Sequence, residues 1–289
     1  MDDTTEHTGT AGNAGLSFAT VSDAYDRARP SYPREAVDFL LGTQPCSVLE
    51  VGAGTGKFTD VLLDAGHDVT ATDPLAEMLQ HLRLRREDCP TAVASAEDLP
   101  VATRSVDAVV AAQAFHWFDS QTALSEMART LKPEGVIGLV WNVRDRRIPW
   151  VRRLDALLGS VGDPLTDPDP TDTLVASKLF GFVESEQFRF WQSLNKPQLR
   201  DLISSRSYVA ALDVDDRADL LHDVDALFDE YASGPEGVRM PYLTRCFRAV
   251  VRPVVLEDSG PIQLSGAGLM PPDPRHVPED GGTHLFSFS

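Results

Sequence analysis

The segment Val48-Leu49-Glu50-Val51-Gly52-Ala53-Gly54-Thr55-Gly56-Lys57-Phe58 sets a run of glycines between an apolar strand and the start of a helix. Glycines at such a turn let a ligand come close to the backbone, and the unpaired N–H groups of a helix start attract anionic groups. A nucleotide-like ligand is implied. A phosphate-binding P-loop is excluded, because the interval between the glycines is too short and Phe58, not Ser or Thr, follows Lys57. A dinucleotide fingerprint would carry its third glycine where Lys57 stands, so that alternative is weakened and stays open. What remains is a compact Gly-x-Gly-x-Gly, Gly52, Gly54 and Gly56, with Glu50 ahead of it.

Three later positions carry further chemistry. Asp73 ends a second strand roughly twenty residues after the loop, where an acid can accept from both ribose hydroxyls. It can equally cap the helix that follows, and Pro74 at the first helical position suits both roles. In Ala94-Ser95-Ala96-Glu97-Asp98-Leu99-Pro100, Asp98 is placed to accept from an adenine amino group or to stand as a solvated loop acid. In Ala111-Ala112-Gln113-Ala114-Phe115-His116-Trp117-Phe118-Asp119, aromatic residues follow a fourth strand, at the end where open sheets bind ligands. Their faces can contact a cation or simply pack the sheet edge. His116 can orient or deprotonate an acceptor, or serve the structure alone.

These residues need elements to hold them. Apolar spacing predicts a helix over 33–41 stopped by Gly42, strands at 47–51 and 68–72, and helices over 57–65 and 75–84. Strands at 91–94 and 106–112 follow, then a helix over 121–131 closed by Lys132-Pro133-Glu134-Gly135, then a strand at 136–140. This alternation predicts an α/β fold, a Rossmann-like doubly wound sheet that is mostly parallel. The second half differs in character. Helices are expected over 150–158, 196–204 and 213–231, a strand at 188–194, and an antiparallel closing strand within 241–251. Residues 1–17 are expected to be disordered, 18–147 to form the core, and 148–234 a partly helical cap that also completes the sheet. The closing strand of the core then falls in 235–256, and 257–289, rich in Pro, Gly, Asp and Ser, forms a disordered tail.

The composition narrows the function. A net charge of −18 repels a phosphate backbone, so nucleic acid is an unsuitable partner. Cys46, Cys89 and Cys246 are odd in number and far apart, which suggests neither disulfides nor a thiolate metal site, so no metal is expected. Residues 1–15 lack a basic start and an apolar core, and no apolar run is long enough to span a bilayer. The expected protein is cytoplasmic, with no membrane partner; nothing in the residues specifies an oligomeric state.

The glycine loop with Glu50, followed by Asp73 and Ala96-Glu97-Asp98-Leu99-Pro100, closely resembles the class I S-adenosylmethionine-dependent methyltransferases that carry the methyltransferase type 11 domain. Tyr25-Asp26-Arg27-Ala28-Arg29-Pro30-Ser31-Tyr32-Pro33 is similar to the opening segment of the branch that includes trans-aconitate methyltransferase. Gln113–Asp119, Trp141–Asp145, Ser205–Val209 and Pro241–Arg245 match that branch as well. The resemblance implies S-adenosyl-L-methionine as cofactor, held by Tyr25, Arg29, Glu50, Gly52, Ala53, Gly54, Gly56, Asp73, Pro74, Met78, Ala96, Glu97, Asp98, Gln113, Ala114 and Phe115. It implies a small-molecule acceptor methylated at an oxygen, a carboxylate oxygen included, or at another nucleophile. Trp117, Arg144, Arg206 and Tyr208 are the candidate acceptor residues, and His116 the candidate catalytic residue. Trp150, Phe180, Phe182, Trp191 and Tyr208 are the expected source of acceptor-pocket walls. A nicotinamide-dependent oxidoreductase and a cofactor-binding protein without activity are the competing functions.

Overall fold

The computed structural model of the protein describes residues 29–159, 169–206, 209 and 211–253. The expectations for 1–17 and 257–289 lie outside the described residues, as do Tyr25 and Tyr208. The described elements are α1 (Arg34–Leu41), β1 (Ser47–Val51), α2 (Lys57–Asp64), β2 (Asp68–Asp73), α3 (Ala76–Arg85), β3 (Thr91–Val93), β4 (Val106–Ala112), α4 (Ser120–Thr130) and β5 (Leu131–Arg144). They continue with α5 (Pro149–Leu157), α6 (Thr171–Ser177), β6 (Glu184–Leu194), α7 (Lys196–Ser204), α8 (Val214–Tyr231) and β7 (Val238–Val250). Among the described residues no helix is long and apolar enough to cross a membrane.

The seven strands form one sheet in the order β3-β2-β1-β4-β5-β7-β6. The pairs from β3 to β5 are parallel, and β7 runs antiparallel to both of its neighbours. The chain winds outward from β1 through β2 to β3, then returns to build the other half from β4. The crevice at the carboxyl ends of β1 and β4 is therefore the switch point where an open α/β sheet binds ligands.

Alternation along the strands sends side chains to opposite faces, and each face meets its own helices. Leu49, Val109, Ala111, Ile137 and Leu139 pack with Ala123, Leu124 and Met127 of α4 and with Leu174 of α6. Val48, Ala108, Val110 and Val140 pack with Val37 and Leu40 of α1, Phe58 and Leu62 of α2, and Leu79 and Leu82 of α3. A third cluster joins Val151 and Leu154 of α5, Leu202 and Ile203 of α7, and Leu221, Val224 and Leu227 of α8 to Leu194, Met240 and Tyr242. Two of these cap helices start on good caps. Asn195 and Gln198 form a capping box at α7, and the Asp213 carboxylate accepts from Asp216 N at α8.

Two elements differ from expectation in ways that matter. The strand expected at 136–140 extends from Leu131 to Arg144. Leu131 pairs with Val106, the register then shifts so that Val136 pairs beside Ala108, and Glu134 takes a left-handed φ of 66° in the interval between. At its other end β5 outruns β4. Pairing with β4 ends at Ala112↔Val140, whereas pairing with β7 continues through Asn142↔Thr244 to Arg144↔Tyr242. β6 likewise begins at Glu184 rather than Phe188, because an edge strand needs no apolar face over its first, exposed residues. Helix α6 was not foreseen; it is seven residues long and buries only Leu174.

Gly237 turns the chain into β7 with φ +70°, and a Cβ placed there would run into the Leu194 carbonyl at the end of β6. We expect Gly237→Ala to lower unfolding free energy by at least about 2 kcal/mol in denaturant titrations, from the backbone strain alone.

Candidate active site

A cavity of about 450 Å³ opens at the carboxyl ends of β1, β2, β4 and β5. That is within the usual range for small-molecule sites, about 300–1,000 Å³. Its walls come from the loop after β1, the end of β2 with the start of α3, the turn after β4, the overhanging end of β5, and Leu202, Arg206 and Tyr242 from the cap side.

The glycine loop is fixed from both sides. Gly52 N and Ala53 N donate to Thr72 O at 2.8 and 2.9 Å, which ties the loop to β2. Gly52 has φ +72°, and a Cβ on it would stand 2.6 Å from the Ala114 Cβ, so the turns after β1 and β4 can close on each other only here without a side chain. Gly54 has φ +57° and nothing within 4 Å of its would-be Cβ, which leaves the cavity wide at that point. Gly56 precedes α2 and faces Leu82 of α3; it serves packing and does not line the cavity.

Asp73 ties two segments together. Its Oδ2 accepts from Gly54 N at 2.9 Å and its Oδ1 from Leu75 N at 2.9 Å, so the carboxylate both locks the loop and steadies the start of α3. Each oxygen retains a lone pair for a ligand, and Asp73, 7% exposed, lines the cavity. Glu50 is more deeply placed, at 1% exposure. Its Oε2 accepts from Thr59 Oγ1 at 2.5 Å, while Oε1 is buried without a hydrogen-bond partner. Burial pushes this carboxyl up to about 8, with the negative charges of Asp60 and Asp73 adding to the shift and the Thr59 bond opposing it.

The overhang of β5 builds the opposite end. Gln113, held at φ 57° after β4, donates from Nε2 to Asn142 O at 3.0 Å. Asn142 Nδ2 donates to Ser31 O at 2.9 Å, and Asn142 Oδ1 accepts from Thr244 Oγ1 at 2.6 Å, so one buried amide joins β5, β7 and the segment 29–32. Two residues on, Arg144 Nη2 pairs with the Asp155 carboxylate of α5, which also takes Arg146 Nε at 2.9 Å. The Arg144 side chain is only 7% exposed, and its Nε and Nη1 are buried without hydrogen-bond partners. Tyr242 lies among Arg29, Arg144 and Arg206; burial raises its phenol, and the three guanidiniums pull it back.

The cavity thus brings together Arg29, Glu50, Gly52, Ala53, Gly54, Asp73, Pro74, Met78, Gln113, Ala114, Trp117, Arg144 and Arg206. Ala96, Glu97, Asp98, Phe115 and His116 do not line it. Ala96 is core, Glu97 Oε1 accepts from Asp119 N at 2.9 Å, and Asp98 is exposed, because the loop after the short β3 turns toward the start of α4. Phe115 turns inward against Phe118, and His116 stands at the surface with its ring centroid 4.9 Å from that of Trp117. The expected aromatic walls are elsewhere too. Trp150 and Phe180 are buried in apolar clusters, Phe182 is 84% exposed, and Trp191 lies beneath Arg239.

Sequence reasoning passed over Lys57, Asn142, Asp155 and Tyr242 as cavity residues. Asp155 carried a signal: it stands four residues after Val151, on the apolar face of α5, where an acid needs a buried cation.

The comparisons with known proteins fit this geometry. A family model described as a methyltransferase domain matches residues 49–139. An uncharacterised methyltransferase of Mycobacterium tuberculosis is 41% identical over 242 residues, covering 82% of this chain and 96% of that protein. A malonyl-[acyl-carrier protein] O-methyltransferase of Methylococcus capsulatus is 35% identical over 133 residues, 42% of this chain and 48% of that protein. Among solved structures, one from Anaeromyxobacter dehalogenans, provisionally described as a type II methyltransferase, aligns with a TM-score of 0.55 at 23% identity. It covers 78% of this chain and 97% of that one, and bears on the fold alone. With the glycine loop, the strand order and these relatives in agreement, the chain belongs to the class I S-adenosylmethionine-dependent methyltransferase family.

Proposed function

We propose that this protein moves the methyl group of S-adenosylmethionine to an oxygen of a small anionic molecule, a carboxylate oxygen being the acceptor that best suits the cavity. The observation that carries this is the pairing of two unlike ends in one cavity. One end is a glycine loop with Asp73 and Glu50, the other a buried arginine with two nitrogens that have no protein partner.

At the first end the residues fit the cofactor. The open space beside Gly54 admits a ligand against the backbone, and the remaining lone pairs of Asp73 suit ribose hydroxyls. Arg29 supplies a guanidinium for the carboxylate of the amino-acid tail. When bound, the cofactor supplies a methyl carbon on positively charged sulfur, open to in-line displacement.

At the second end the protein holds the acceptor. The Arg144 guanidinium, held at Nη2 by Asp155, has no protein partner at Nε or Nη1, and its positive charge suits an anionic acceptor. Arg206 and Tyr242 stand beside it. An ionised carboxylate is already a nucleophile, so no proton need be removed. This accords with the acids at hand: Asp155 is engaged by two guanidiniums, and the Glu50 carboxyl is pushed up to about 8. His116, outside the cavity, has no part in the proposal. Catalysis then rests on orientation and the exclusion of water.

Calorimetry with S-adenosylhomocysteine should show binding, and Asp73→Ala should weaken it about ten- to a hundredfold through loss of a charge-assisted contact. A thermal shift with reduced nicotinamide cofactor and none with S-adenosylhomocysteine would reverse the assignment. Methyl-labelled cofactor incubated with a metabolite extract should label an acidic product by mass spectrometry. Tight cofactor binding with no labelled product would instead mark a protein without activity. With the acceptor so identified, Arg144→Met should raise its KM roughly ten- to a hundredfold and leave S-adenosylhomocysteine affinity unchanged.

A further inference from the structure

Asn142 stands where three distant parts of the chain meet. Its backbone carbonyl accepts from Gln113 Nε2 of the turn after β4 at 3.0 Å, its Oδ1 accepts from Thr244 Oγ1 of β7 at 2.6 Å, and its Nδ2 donates to Ser31 O at 2.9 Å. The orientation of this amide is forced. Ser31 O can only accept, so the NH2 group must face it and the amide oxygen must face Thr244, whose hydroxyl is then committed as the donor. Both side chains are buried, so a partner lost here is not readily replaced by water.

What the amide holds is a stiff strip of chain. In Arg29-Pro30-Ser31-Tyr32-Pro33 each proline ring fixes its own φ and biases the residue before it, Arg29 or Tyr32, toward extended backbone. Tyr32 sits edge-on to Phe58 of α2 with ring centroids 4.9 Å apart, which anchors one end of the strip. Ser31 O is anchored between that ring and Arg29, which lines the cavity together with Pro30. With so few free torsions in between, fixing Ser31 also aims Arg29.

We propose that Asn142 is a positioning residue for cofactor binding: through Ser31 it holds the Arg29 guanidinium where the carboxylate of the cofactor's amino-acid tail arrives, and Thr244 fixes the amide in the orientation that does so. The inference rests on S-adenosylmethionine being the cofactor with its tail at Arg29. It gives Thr244, which does not line the cavity, an effect on cofactor affinity.

The test is calorimetry of the full chain with S-adenosylhomocysteine and with methylthioadenosine, which keeps the adenosine and lacks the amino-acid tail. Asn142→Leu conserves side-chain volume and removes both amide bonds. We expect it to bind S-adenosylhomocysteine about tenfold more weakly, through misalignment of a guanidinium–carboxylate contact, and methylthioadenosine as the wild type does. Arg29→Met should show the same selectivity, and the double variant should bind no more weakly than Arg29→Met alone, because the two residues act as one unit. A purely structural Asn142 would weaken both ligands alike, or add its effect to that of Arg29→Met. Either result overturns the inference, as does unchanged S-adenosylhomocysteine binding in Asn142→Leu or in Arg29→Met, and all of them leave the proposed cofactor standing. Failure of the wild-type protein to bind S-adenosylhomocysteine would overturn both. If methylthioadenosine binds too weakly to measure, the additivity comparison decides alone. Should Asn142→Leu not fold, Thr244 decides: Thr244→Val should weaken S-adenosylhomocysteine selectively, by about threefold, and Thr244→Ser should restore wild-type binding. Thr244→Val without that selectivity would overturn the proposal.

Discussion

The antiparallel pairing of β5 with β7 is the constraint on which the rest of the site depends. Parallel pairing with β4 ends at Val140, and a strand left there would have gone no further. Because β7 accompanies β5 for four more residues, Trp141–Arg144 stay extended beyond the sheet's mouth and carry Asn142 and Arg144 over the cavity. Every structural tie at that end starts from this overhang. Asn142 fastens the segment 29–32, Arg144 reaches α5 through Asp155, and Tyr242 stands opposite Arg144 on β7.

The two ends of the cavity use different physics. The glycine-loop end is a matter of backbone: positive φ values, a Cβ-free approach, and two N–H groups gathered by one carboxylate. The arginine end is a matter of charge, set locally against the overall −18 of the chain. Asp155 tempers it. An isolated buried guanidinium would be expensive, and removing the partner of a buried ion pair generally costs about 3–5 kcal/mol. The pair is thus a positioning device whose stability is conditional on both members, with two nitrogens of Arg144 left over for another anion.

Much of this was legible in the residues because strong local signals and global fold agree. The strands 47–51 and 106–112 and the helix 196–204 were placed to the residue by apolar spacing and breakers. Glu50, Asp73 and Gln113 lie at or beside strand ends, where topology alone predicts a ligand, whereas Arg29, ahead of α1, was expected from the resemblance of its segment. What escaped depends on contacts distant in sequence. The length of β5 comes from a partner a hundred residues later, and no local pattern encodes it. Asp98 and His116 have suitable chemistry but are turned aside by loop paths that side-chain type does not reveal. Phe182 and Trp191 show the converse, since large aromatics in the cap region suggested walls, yet the cap meets the cavity through Asp155, Leu202 and Arg206.

The buried amide of Asn142 touches the two extremes of the described chain, Ser31 on one side and Thr244 on the other. On a ribosome these arrive far apart in time. Strands β1 to β4 are made first and can set up the glycine loop, whereas β7 follows them only after the whole cap region. A nascent chain can therefore order its glycine-loop half before its arginine-lined half, which has to wait for β7.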